Sequence, residues 1–98
     1  RQSAHHVSTV VEFVPAASDH ASVLELRTRD TLGLLSAVTR LLADAGIDIS
    51  AARLSTVGDT AIDTFYLTTD AHPLSPESEA GIREALLHLI TTDVDERH

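Results

Sequence analysis

An α+β sandwich, with two helices covering one face of a four-stranded, mostly antiparallel sheet, is the fold class the sequence predicts. Three observations carry it. Apolar residues recur with helical period in two stretches, from Leu34 to Ala45 and from Ile82 to Ile90. Four other stretches, 7–14, 21–29, 47–57 and 60–69, have strand composition or alternation. The chain has 98 residues, enough for one domain with a modest core.

Taken in order, "HVSTVVEFVP" carries β-branched and aromatic residues until Pro15 ends the first strand. "AASDH" is a turn. In "ASVLELRTR", Leu24, Leu26 and Thr28 alternate against Val23, Glu25 and Arg27, a strand with one polar face. The period then changes. Leu34, Leu35, Val38, Leu41, Leu42 and Ala45 form one continuous helical stripe, with Ser36, Thr39, Arg40 and Asp44 on the other side. Gly46 stops that helix in the left-handed conformation typical of such ends. Gly58-Asp59 is a tight-turn signal between the third and fourth strands, and 69–74, containing Pro73, reads as a loop. Ser75 as N-cap and Pro76 at the first helical position open the second helix. Glu77 and Glu79 suit the positive end of its dipole, and Ile82, Leu86, Leu89 and Ile90 form its apolar stripe.

A right-handed crossover around the first helix leaves a gap that the fourth strand fills. The result is a ferredoxin-like topology with one change. Only "TTDVDERH" follows the second helix, so the usual last strand is replaced by the N-terminal one, which can pair beside 21–29. Residues 1–6 read as a linker remnant, 7–92 as a single domain and 93–98 as a polar tail. Arg1 rather than methionine opens the sequence, so the expectation is a fragment of a longer chain.

The net charge of −8, with seven arginines and no lysine, argues against a nucleic-acid surface or an anionic membrane face. No apolar run approaches a membrane span, and no signal-peptide pattern opens the chain. Without cysteine there is no disulfide and no thiolate metal site, which fits a reducing cytoplasm.

At "VLELRTRDTLGLLSAVTRLLADAGIDISAARLSTVGDTAIDTFYLTTD" the chain resembles an ACT domain. The likeness rests on a strand ending in an acid, a short turn with Gly33, and the helix "GLLSAVTRLLADAGIDI". The strand "AIDTFYLTTD" is similar to that of the C-terminal ACT repeat in bifunctional uridylyltransferase/uridylyl-removing enzymes, which modify the PII nitrogen-signalling protein. The family's usual turn is Asp-Arg-Pro-Gly; here it is Asp30-Thr31-Leu32-Gly33, and Asp48 stands where asparagine is common.

The resemblance implies a small-ligand site, often for an amino acid, at the strand–helix turn and commonly across two domains. Elementary chemistry suits this. A helix N-terminus offers unpaired N–H groups and partial positive charge to a carboxylate. Gly33 leaves the backbone bare, though glycine costs a helix interior about 1 kcal/mol relative to alanine. Leu32, Gly33 and Leu34 would hold the carboxylate end. Asp30 and Thr31, with Asp48 and Ile49 of a facing subunit, would complete the site, the acids taking an ammonium. A plainer reading stands beside it: Asp30 or Thr31 only caps the helix, and Gly33 only permits close helix–sheet packing.

Other candidates carry less chemistry. His5, His6, His20, His72, His88 and His98 have no metal-like spacing, so no metal site is expected. Glu25 and Asp63 could resemble paired carboxylates. Asp63 shares parity with Phe65 and Leu67, so it points towards the helices, and a structural acid bonded to backbone is the expected role. Ile62, Thr64, Tyr66 and Thr68 take the opposite face, which three aromatics in an acidic chain do not make a base-stacking platform. No catalytic set converges and no cofactor is expected. Three functions follow: a regulatory sensor of an amino acid, with glutamine implied by the resemblance; a ligand-free dimerisation or docking module using strand 47–57 as a sheet edge; or a stand-alone ACT protein. Partners would be a second ACT domain and, through a parent chain, PII.

Overall fold

The computed structural model describes residues 9–15, 17–29 and 32–96. Six elements follow in order: β1 (Val10–Phe13), β2 (Ser22–Thr28), α1 (Leu32–Asp44), β3 (Asp48–Val57), β4 (Thr60–Thr68) and α2 (Pro76–Glu96). The strands form one sheet in the order β1-β2-β4-β3, and every neighbouring pair is antiparallel. This is the expected sandwich, with β1 beside β2 where a last strand would otherwise lie. The expected linker 1–6 and the first residues of the expected strand, 7 and 8, lie outside the described residues, as do Asp30 and Thr31.

Parity sorts the sheet. Val11 pairs with Leu26, Leu24 with Phe65, and Ser22 with Leu67, so these side chains share the inner face. The apolar ones join Leu34, Val38 and Leu42 of α1 and Ile82, Leu86 and Ile90 of α2 in one buried cluster. Val23, on the outer face beside Tyr66, is nevertheless buried, so that face is not wholly polar.

Local signals fix the element ends. Gly46 has φ of 76°, while Gly46 N–H donates to Ala43 O and Ile47 N–H to Leu42 O, both at 3.0 Å. Gly46 thus closes α1 with a reversed turn whose next residue, Ile47, returns to the core beside Leu42. Ser75 Oγ accepts from Ser78 N–H at 3.1 Å, the expected N-cap. Ser22 Oγ accepts from Leu74 N–H and donates to Glu79 Oε2, tying the start of α2 to β2. α2 runs to Glu96, past Ile90, where its apolar stripe ends, and into the expected polar tail at 93–98, because no glycine or proline interrupts 91–96.

The loop expected at 69–74 contains a tight two-residue reversal. Thr69 and His72 exchange backbone hydrogen bonds of 2.8 and 3.0 Å around Asp70 (φ 53°) and Ala71 (φ 67°). Left-handed alanine is unfavourable, whereas glycine adopts that conformation freely. Ala71→Gly is expected to stabilise the chain by about 0.5 kcal/mol, after allowing for the greater freedom of glycine in the unfolded chain. Urea denaturation should show the midpoint rise; an unchanged or lower midpoint contradicts this account of the turn.

Candidate functional site

The corner between β2 and α1 lies at the end of the sheet where Thr28 pairs with Ala61 and Ala61 with Thr56. Leu32 starts the helix two residues before the apolar stripe does. Its first turn carries no acid, so its leading N–H groups meet no side-chain anion of their own turn. Gly33 is exposed, and a Cβ placed on it would meet no atom within 4 Å. Close helix–sheet packing therefore does not explain this glycine: among the described residues, nothing packs there. Leu34 turns inward and is buried, anchoring the turn to the core. Gly33 is thus bare backbone at the surface beside the anchored Leu34.

Asp48 and Ile49 lie elsewhere. Asp48 opens β3 opposite Thr68, and Ile49 pairs with Leu67. Along β4, Thr68 is seven residues beyond Ala61, about 23 Å of strand. Within one chain, then, the structure does not bring Asp48 and Ile49 to Gly33 and Leu34. Only a second chain can supply them to the corner.

Glu25 and Asp63 are not paired carboxylates. Glu25 sits opposite Thr64 on the outer face and accepts from Arg27 at 2.8 Å. Asp63 faces inward between Leu26 of β2 and Leu54 of β3. It is 3% exposed, and among the described residues its Oδ2 has no hydrogen-bond partner. The expectation of a backbone-bonded structural acid is thus corrected for this oxygen. Parity gave the direction of the side chain correctly, but the facing positions offer only leucine side chains. Burial pushes the Asp63 carboxyl above its ordinary pKa. Sequence reasoning missed its importance, although an inward acid with no cation at any inward strand position was a visible signal.

A cleft of about 290 Å³ lies on the far side, lined by Glu12, Phe13, Pro76, Glu79, Ala80 and Arg83. Two of its polar groups already serve the fold: Glu79 accepts from Ser22, and Arg83 Nε donates to Val11 O at 3.4 Å. Among the described residues, no three histidine, aspartate or glutamate side chains are grouped to hold a metal.

The family model of the ACT domain matches residues 22–88. Proteins named bifunctional uridylyltransferase/uridylyl-removing enzyme are similar to nearly the whole chain. That of Vibrio campbellii is 39% identical over 90 residues, which are 91% of this chain and 10% of the relative. That of Vibrio atlanticus is 43% identical over 81 residues, 82% of this chain and 9% of the relative. That of Streptomyces coelicolor is 37% identical over 83 residues, 84% of this chain and 10% of the relative. The chain thus spans about a tenth of the length of these relatives. No solved structure is a significant match.

Proposed function

The chain belongs to the ACT domain family, and on that premise we propose that it is a regulatory module without catalysis of its own. Its corner at Asp30, Thr31, Leu32, Gly33 and Leu34 takes an amino acid, with glutamine the first candidate. Occupancy shifts an attached enzyme between adding and removing uridylyl groups on the PII signalling protein in the cytoplasm. A coupling of about 1–3 kcal/mol between the two sites suffices for such control.

The observation that carries this reading is the empty space over Gly33 at the start of α1. A glycine there weakens the helix and packs against none of the described residues, so its use lies in what approaches it. The ligand carboxylate would meet the first N–H groups of the helix. Isothermal titration with glutamine, then with the other amino acids, tests it. Gly33→Ala is the informative variant, since its φ lies outside the left-handed region and a methyl group meets no neighbour. Alanine should add up to about 1 kcal/mol of stability while weakening glutamine binding. A variant that gains stability and still binds normally would contradict the role of bare backbone. No heat from the unsubstituted chain with any amino acid at millimolar concentration would remove the sensor reading.

A second reading, assembly through the sheet edge, is favoured by β3. All ten of its residues are exposed, on both faces, including Leu54 at 57% and Val57 at 64%. Such an edge invites pairing with another strand. Antiparallel pairing of two β3 strands would set Asp48 of a second copy opposite Val57, next to the corner. That arrangement would complete the ligand site, so the two readings are compatible. A dimer whose melting does not respond to amino acids would favour assembly alone.

A further inference from the structure

Asp63 is a carboxylate buried beside leucine with one oxygen left unpartnered, and nothing among the described residues explains why it is there. An ionised carboxylate removed from water is strongly unfavourable unless a cation or several donors meet it. On the inner face its cross-strand neighbours are Leu26 and Leu54, and among the described residues no buried helix residue is charged. Arg27 and Arg53 pair with Ile62 and Thr64, which places both arginines on the outer face. Among the described residues, no cation meets Asp63.

The register shows where it would enter. Asp63 lies two residues from Ala61, which pairs with Thr28 at the corner end of the sheet. Two residues of strand cover about 7 Å, a little over one turn of helix. Asp63 is therefore about 7 Å in from the corner end of the sheet, on the face that carries the helices. One side is open: Leu54, directly opposite on the uncovered strand β3, is 57% exposed. A flexible leucine is a door that a small group can displace.

We propose that Asp63 is the anchor for a primary ammonium group, which enters past Leu54 while the ligand's carboxylate meets the N–H groups at the start of α1. The ligand class is then an α-amino acid zwitterion, whose ammonium and carboxylate, carried on one carbon, each meet a group of opposite charge. This rests on the sensor reading and deepens it. It assigns the amine end to a strand residue of the same chain, apart from Asp30 and Asp48. Asparagine at 63 keeps the shape and loses the charge. Lysine at 54 would place an ammonium within reach of Asp63, since directly opposed Cβ atoms lie about 5 Å apart.

The test is isothermal titration of the chain and its Asp63→Asn and Leu54→Lys variants. The probes are L-glutamine and glutaric acid monoamide, which is glutamine without its amine. The unsubstituted chain should bind glutamine at least tenfold more tightly than the monoamide. Asp63→Asn should lose most of that discrimination, and Leu54→Lys should block glutamine while raising the melting temperature. Asp63→Asn binding glutamine as tightly as before, with its fold intact by melting, overturns the assignment and leaves the sensor reading standing. If Asp63→Asn instead changes the oligomeric state and not the affinity, the cation belongs to a second chain and the assignment is again overturned. An unsubstituted chain inert to every amino acid overturns the sensor reading and this inference together.

Discussion

Asp63→Val is expected to make the domain more stable, by about 2 kcal/mol at neutral pH, and to abolish amino-acid binding. A buried polar group without a partner costs roughly 1–3 kcal/mol, and valine suits a strand position between Leu26 and Leu54. For a domain of this size that is a rise of about 10 °C in melting temperature. The gain should depend on pH with a definite sign. Burial raises the pKa of Asp63 in the folded chain. The acid's protonated form is therefore favoured by folding, and its contribution to stability is full below the ordinary carboxylate pKa. That contribution is lost as pH rises through the raised value. The difference between Asp63→Val and the unsubstituted chain should accordingly widen from acid to neutral solution. Comparing the two chains at each pH cancels the repulsion of a net charge near −8, which both share to within one unit. Equal melting temperatures at neutral pH would mean that Asp63 has a partner in the folded chain.

Phe65→Ala should act in the opposite direction and more strongly. Phe65 is 2% exposed, pairs with Leu24, and belongs to the cluster that joins both helices to the sheet. Phenylalanine-to-alanine changes in such places cost about 3–5 kcal/mol, against a total of about 5–15 kcal/mol for a domain. Urea denaturation should show a large fall in midpoint, leaving the variant marginal at best. A loss below about 1 kcal/mol would mean that the helices are not seated on this face.

These predictions mark how far the sequence could be read. The order of elements was legible because each signal was local: the stripe from Leu34 to Ala45, Gly46 at its end, Ser75-Pro76 at the next start. The position of β1 followed from hairpin pairing with β2, and the sheet order from the crossover. The Asp70-Ala71 reversal was not legible, because alanine gives no warning of a left-handed backbone. Nor was the burial of Val23, which depends on its cross-strand neighbours rather than on parity.

For the candidate site the division is physical as well. Parity placed Asp63 inward, yet whether a polar atom finds a partner is a property of the assembled layers. Gly33 is an anomaly legible in the sequence, but that none of the described residues packs against it is a property of the folded chain. The separation of Asp48 from Gly33 also needs the sheet register. Neighbours in one family's site can lie far apart in a single chain and meet only across an interface.

The most direct measurement is a carbon-13 NMR titration of the Asp63 carboxyl in the chain, without and with saturating L-glutamine. The account predicts a pKa above the ordinary carboxylate range in the free chain, falling when the amine arrives. An ordinary value that glutamine leaves unmoved would contradict it.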